Sequence, residues 1–217
     1  MENKAFIFDL DGVLIDDESI WNKEKAVMYV DLFGDEVVRK MGSTLGGNME
    51  GIYELAKQQG STVTKEEVIQ AFYARANRIY STAPIPEGID ELLNVLRKRN
   101  FQVGIVSASP KEWIDIVLKR LRNKEVITHI ISLFDRSDLA HKPEPDGYLE
   151  AIKFFNTIPE NTIVLEDSNA GIASAKASGA YTIGLKQHLV PGYEQEGADI
   201  YANSINDVIK IVGDVAK

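Results

Sequence analysis

The sequence predicts an α/β protein: a doubly wound parallel sheet interrupted, after its first strand, by a block of helices. Three observations predict it. A continuous apolar run, Ala5-Phe6-Ile7-Phe8, stands near the start without polar alternation, the pattern of a strand buried on both faces. Residues 16–83 carry apolar positions at helical spacing and no strand pattern. After Pro86 strand and helix patterns alternate to the end, as parallel strands with helical crossovers require. The division that follows is an α/β core, 1–15 with 84–217, and an inserted helical domain, 16–83.

Each element has its own signal. The run 5–8 is the first strand; Asp9 and Asp11 fall at its carboxyl end, and Gly12 permits a sharp turn. In the insert, Ile20, Glu24, Val27 and Met28 mark one amphipathic helix and Ile52, Leu55 and Ala56 another. Val68, Ala71, Phe72, Arg75 and Ile79 mark a third. Thr64-Lys65-Glu66-Glu67 reads as an N-cap with an acidic first turn. Gly42, Gly46 and Gly47 mark a loop between helices. Ala83-Pro84-Ile85-Pro86 ends the insert, because consecutive X-Pro steps discourage helix. Beyond it come a helix over 88–99, a strand over 102–106 and a helix over 110–121 with Pro110 near its first turn. A weak strand at 129–132, a helix at 146–156 and a strand at 162–165 follow. A small-residue helix, 169–178, is stopped by Gly179. Strands at 180–184 and 200–202 and a closing helix at 204–212 complete the pattern.

Composition limits the function classes. The 217 residues hold 24 Lys plus Arg against 33 Asp plus Glu, a formal charge of −9. A chain of this length buries roughly 70% of its unfolded surface and needs no covalent staples. With no cysteine, disulfides, thiolate metal sites and a cysteine nucleophile are excluded. The acidic balance argues against nucleic acid and against an anionic membrane surface as partners. No apolar run approaches the ~20 residues that span a bilayer, and the charged start is unlike a signal peptide. The expected location is the cytoplasm.

A doubly wound sheet binds ligands at the carboxyl ends of its strands, so the residues there carry the chemistry. In Asp9-Leu10-Asp11 the two acids share a direction, being two apart on an extended chain. Carboxylates so close repel unless a proton or cation lies between them, and a hard divalent ion such as Mg²⁺ suits oxygen ligands. Two solvated loop aspartates are the plain alternative. The strand at 162–165 runs into Glu166-Asp167-Ser168-Asn169-Ala170-Gly171; helix capping accounts for Ser168 or Asn169 but not for the two acids. The strand at 102–106 runs into Ser107-Ala108-Ser109-Pro110, a hydroxyl with main-chain N–H groups at a helix start, which is an anion site or a simple cap. In His141-Lys142-Pro143-Glu144-Pro145 the prolines stiffen the segment around Lys142, which is otherwise an ordinary solvated lysine. Together these groups supply what phosphoryl transfer needs: an in-line nucleophile, cationic and N–H contacts for the equatorial oxygens, and a proton donor for the leaving oxygen.

Asp9-Leu10-Asp11-Gly12-Val13-Leu14-Ile15-Asp16, Ser107, Lys142-Pro143-Glu144-Pro145 and Glu166-Asp167-Ser168-Asn169-Ala170-Gly171, in that order, resemble the motifs of the haloacid dehalogenase superfamily of phosphatases and phosphomutases. The resemblance extends over the whole chain, since 16–83 resembles the helical cap of one branch, the β-phosphoglucomutase-like proteins. It implies a Rossmann-like core. It implies Asp9 as a nucleophile forming an aspartyl-phosphate and Asp11 as the acid and base for the leaving oxygen and the attacking water. It implies Mg²⁺ held by Asp9, the main-chain carbonyl of Asp11 and Asp167, with Glu166 beside or behind them. Ser107, the Ala108 N–H and Lys142 would hold the phosphoryl oxygens. Asp at position 11 implies phosphoryl transfer rather than dehalogenation.

The branch contains both phosphatases and mutases. The cap arginine and the histidine of the mutases align near Leu45 and Trp21, and no Lys or Arg lies between Met41 and Tyr53. The expectation is therefore a phosphatase of a small phosphorylated metabolite, such as a sugar phosphate, with a β-phosphoglucomutase-like sugar phosphomutase as the alternative. A non-catalytic receiver-like phospho-switch uses similar groups but is shorter and lacks the insert. In the cap, Gly46 and Asn48 are candidate substrate contacts, or part of a plain turn. Trp21 is either a substrate cover or cap core. Hinges are expected near 15–17 and 83–86, with cap closure excluding water. Lys142→Ala is expected to weaken phosphate handling and leave the fold intact.

Overall fold

A computed structural model describes residues 3–42 and 49–215. Ser19–Thr82 forms one compact unit, and the chain before and after it forms the other.

The second of these is built on a six-stranded, all-parallel sheet: β1 (Lys4–Phe8), β2 (Phe101–Ser107), β3 (Ile127–Ser132), β4 (Thr162–Glu166), β5 (Tyr181–Leu185) and β6 (Ile200–Ala202), in the order β3-β2-β1-β4-β5-β6. The order reverses at β1, the place where such sheets open a crevice beyond their strand ends. The register sets Phe8 beside both Ile105 and Leu165, so the residues after β1, β2 and β4 emerge side by side. The central strands are buried along nearly their whole length, which is why they read as unbroken apolar runs.

Helices α5 (Ile89–Lys98), α6 (Lys111–Leu118), α7 (Asp146–Phe154), α8 (Asn169–Ala177) and α9 (Ile205–Val215) complete this unit. Its core joins Ala5, Ile7 and Val164 of the sheet to Tyr148, Ala151, Ile152 and Phe155 around α7. Differences from the sequence pattern have local causes. β3 begins at Ile127, two residues before the apolar run, because it is an edge strand with Thr128 exposed and His129 half-buried. The α-helical hydrogen bonding of α6 gives way after Leu118 to tighter turns, Arg120 N–H to Val117 O and Leu121 N–H to Leu118 O. α9 runs on to Val215.

The inserted unit contains α1 (Glu18–Phe33), α2 (Asp35–Met41), α3 (Met49–Gln58) and α4 (Lys65–Thr82). Met28, Tyr29, Phe33, Met41, Ile52, Ala56 and Val68 form its core. Thr64 and Glu67 make a reciprocal capping box: the Glu67 N–H donates to the Thr64 hydroxyl (3.2 Å) and the Thr64 N–H to the Glu67 carboxylate (2.8 Å). No helix among the described residues is long and apolar enough to cross a membrane.

Candidate active site

β1 carries the chain into the crevice, and the Asp9 N–H still donates to Leu165 O (3.0 Å), so Asp9 continues the ladder with β4. Leu10, fully buried, turns into the core, and the N–H groups of Val13, Leu14 and Ile15 close back on its carbonyl. That tight wrap needs Gly12 at φ +73°; a Cβ there would stand 2.0 Å from Asp167 Oδ2. The glycine thus serves both the turn and the close approach of Asp167, which follows β4.

Lys142 reaches the same point from the loop before α7. Its Nζ donates to Asp9 Oδ1 (2.5 Å), Glu166 Oε1 (2.5 Å) and Val106 O (3.1 Å), which uses all three protons. The loop is anchored by Ser174, whose hydroxyl donates to Glu144 O (2.6 Å). Burial alone would lower the Lys142 pKa, but the Asp9 and Glu166 carboxylates hold it well above its ordinary value, so the ammonium stays charged.

Glu166 is fully buried and saturated. Oε1 accepts from Lys142 and from the Tyr148 hydroxyl (2.7 Å), and Oε2 from the N–H groups of Asp167 and Ser168 and the Ser168 hydroxyl. Its lone pairs are committed to holding Lys142 and the turn after β4. Ser168 caps α8, its hydroxyl accepting from the Gly171 N–H (3.0 Å).

Ligand atoms of Asp9, Glu166 and Asp167 lie within 4.8 Å of one another. Burial, then the neighbouring Glu166 and Asp11 charges, push Asp9 up to about 8 against the pull of Lys142. Burial and the same crowd of carboxylates, Asp9 first, hold Asp167 well above the ordinary range. Such a set invites a proton or a hard cation. With Glu166 saturated, Asp9 and Asp167 are the carboxylates left to ligate, and the donor set fits Mg²⁺.

The Asp11 carboxylate lies outside that group. Its Oδ2 accepts from the Ser109 hydroxyl (2.7 Å), and it is hydrogen-bonded to Asp17. Asp17, nearly fully buried, accepts from the Gly12 N–H (3.1 Å); burial first, and the Asp11 charge second, push it up to about 9. Ser107, the last residue of β2, is buried with its hydroxyl accepting from the Ser109 N–H (2.9 Å), and Ala108 is exposed at the turn.

Asp9, Asp11, Lys142, Glu166 and Asp167 therefore meet at one end of the sheet, with Ser107 at the end of the neighbouring β2. Trp21 belongs to the inserted unit, where it stacks on Phe72 (4.8 Å between rings) and meets the edge of Tyr80, 9% exposed: the packing of a core residue. Gly46 and Asn48, like Leu45, lie outside the described residues. Sequence reasoning missed Asp17 and Tyr148 as site residues, and it assigned no role to Ser109 although the motif contained it. Asp17 abuts a motif and was detectable. Tyr148 reads as a helix apolar and carries no such signal.

Residues 6–185 match the family model of the haloacid dehalogenase-like hydrolases. Hexitol phosphatase B of Escherichia coli (strain K12) is 27% identical over 216 residues, 94% of this chain and 93% of that protein. Beta-phosphoglucomutase of Bacillus subtilis (strain 168) is 28% identical over 219 residues, 94% of this chain and 91% of that protein. The crystal structure of CbbY from Rhodobacter sphaeroides in complex with phosphate shares the fold, with TM-score 0.73 and 20% identity, covering 95% of this chain and 96% of that one. With the acidic strand ends, the lysine between them and a family match over most of the sheet, the chain belongs to the haloacid dehalogenase-like hydrolases.

Proposed function

We propose that the protein is a Mg²⁺-dependent phosphatase that hydrolyses a small phosphomonoester, a phosphorylated sugar or sugar alcohol, through an aspartyl-phosphate on Asp9. One observation carries this reading: a buried carboxylate at the end of the central strand, gripped by a charged lysine and flanked by a second carboxylate.

In the first step a carboxylate oxygen of Asp9 attacks phosphorus, the P–O bond to the leaving alkoxide breaks, and Asp11 gives that alkoxide its proton. In the second, water attacks the acyl phosphate, Asp11 takes the water's proton, and the Asp9 carboxylate departs. Burial holds a proton on Asp17, hydrogen-bonded to Asp11, so a proton lies beside the group assigned to donate it. Lys142, fixed by Glu166, sets the position of Asp9 and offers positive charge to the phosphoryl oxygens, with Ser107 and the Ala108 N–H as further donors. Asp9 and Asp167, with the Asp11 carbonyl, are the ligands assigned to Mg²⁺. When bound, the ion neutralises the paired carboxylates and withdraws charge from the phosphoryl group.

Residues 16–83 are the proposed cap that selects the leaving group. Relatives named for hexitol and sugar phosphates support the substrate class. The absence of Lys or Arg between Met41 and Tyr53 favours hydrolysis over a mutase, which must grip a second phosphate. A panel of hexitol phosphates, hexose phosphates and β-glucose 1-phosphate with its bisphosphate activator, assayed with Mg²⁺, tests the reading. Release of inorganic phosphate is expected. Conversion of β-glucose 1-phosphate to glucose 6-phosphate without release would make the protein a mutase.

A further inference from the structure

Between β5 and β6 the chain runs through a long irregular strap, residues 186–199, that returns to the acidic loop after β4. Gln195, only 9% exposed, places its Nε2 on two main-chain carbonyls at the carboxyl ends of neighbouring strands: Asp167 O (2.5 Å) and Leu185 O (2.8 Å). Two amide protons meet two acceptors, which fixes the orientation of the side chain. Its Oε1 is buried with no donor among the described residues. What the amide does in the structure is hold two main-chain carbonyls, that of Asp167 among them.

The other side of Asp167 is fixed independently, by its N–H on Glu166 Oε2 (3.1 Å). The next residue but one is tied to the same strap: the Asn169 N–H donates to the Tyr193 hydroxyl (2.7 Å). The Asn169 amide bridges Glu194 O (2.9 Å) and the Glu196 N–H (3.0 Å). With both flanking peptides clamped and its carboxylate lying over Gly12, Asp167 has little freedom to swing.

We propose that Gln195 is a positioning residue for the cation site: by holding the Asp167 main chain it sets the direction of the Asp167 carboxylate and so the affinity for Mg²⁺. This rests on Asp167 being a Mg²⁺ ligand. Partners behind a ligand typically govern affinity by 10- to 100-fold.

The test is calorimetric Mg²⁺ binding to the EDTA-stripped protein without substrate, beside melting temperatures in EDTA and KM at saturating Mg²⁺. Asp167→Asn reports on the ligand assignment, and Gln195→Leu on the clamp. Gln195→Leu is expected to weaken Mg²⁺ binding by roughly 10-fold, with KM for a chromogenic phosphomonoester unchanged once Mg²⁺ saturates. Tyr193→Phe, at a side chain 39% exposed, should give a smaller loss in the same direction and decides the matter should Gln195→Leu fail to fold. If Asp167→Asn abolishes binding while Gln195→Leu and Tyr193→Phe bind like wild type, the clamp is wrong and the ligand assignment stands; a lower melting temperature alone would mark Gln195 as merely structural. If Asp167→Asn binds Mg²⁺ normally, the ligand assignment itself fails, and the clamp with it.

Discussion

Lys142 is buried between two carboxylates, so its side chain bears on the fold as well as on the proposed chemistry. The sequence alone presents it as a tethered phosphate contact whose removal spares the structure. In the folded protein its ammonium is the counter-charge for Asp9 and Glu166, both buried. Removing one partner of such a group leaves uncompensated charge and typically costs about 3–5 kcal/mol. Lys142→Ala is therefore expected to lower stability as well as activity. The loss should be larger at pH 8 than at pH 5, where protonation of Asp9 relieves it, and Mg²⁺ should restore part of it. Urea unfolding at the two pH values, with and without the ion, checks this, and equal stability to wild type at both would refute it. Asp17 makes a second prediction. Its pKa is raised from 3.8 to about 9, so between those values the folded state keeps a proton that the unfolded state has released. Its stability contribution is complete below pH 3.8 and is lost as pH rises toward 9. Asp17→Asn escapes that loss. In EDTA its melting temperature should equal wild type near pH 4 and exceed it progressively up to pH 9; a difference independent of pH would contradict the assignment. The residues legible in the sequence were those at strand ends in acidic or hydroxylic runs. Gln195 was illegible because its role depends on a strap folding back over another loop, which no local pattern encodes.

The helices and strands were legible to the degree that burial wrote itself into residue order. β1, β2 and β4, covered on both faces, read directly as apolar runs, whereas edge strand β3 is legible only from His129 on, because the exposed Thr128 cuts Ile127 off from the apolar run. Gly171, in the first turn of α8, is by sequence one of the small residues of that helix. The structure gives it a sharper reason: a Cβ there would lie 1.9 Å from the Glu166 carboxyl carbon. Helix propensity alone favours alanine over glycine by roughly 1 kcal/mol. Gly171→Ala is nonetheless expected to destabilise, by roughly 1–3 kcal/mol, and to reduce activity by displacing the carboxylate that holds Lys142. Equilibrium unfolding decides the sign, and a variant as stable as wild type would show that Glu166 can move without consequence.

For the whole molecule, strand order is what turns scattered motifs into a site. Residues separated by more than a hundred positions meet because β1 lies between β2 and β4, and the order reverses there. Alternation of strand and helix made the sheet legible, but not which strands would be neighbours. The family resemblance supplied that grouping in advance, and the geometry gives its physical basis. Substrate choice was not legible, since the sequence of the proposed cap reports packing and not the shape presented to a ligand. Covalent capture of phosphorus by Asp9 is the step on which the proposed mechanism turns. It is tested most directly by quenching turnover of a chromogenic phosphomonoester with acid, in Mg²⁺, and reducing the product with borohydride, which converts an aspartyl-phosphate to homoserine. Peptide mass spectrometry should find homoserine at position 9, and the Asp9→Asn variant should show neither the conversion nor turnover, its rate down by at least about 10⁴-fold. Turnover that leaves Asp9 unmodified, or homoserine at position 11 or 167 instead, would rule out Asp9 as the nucleophile.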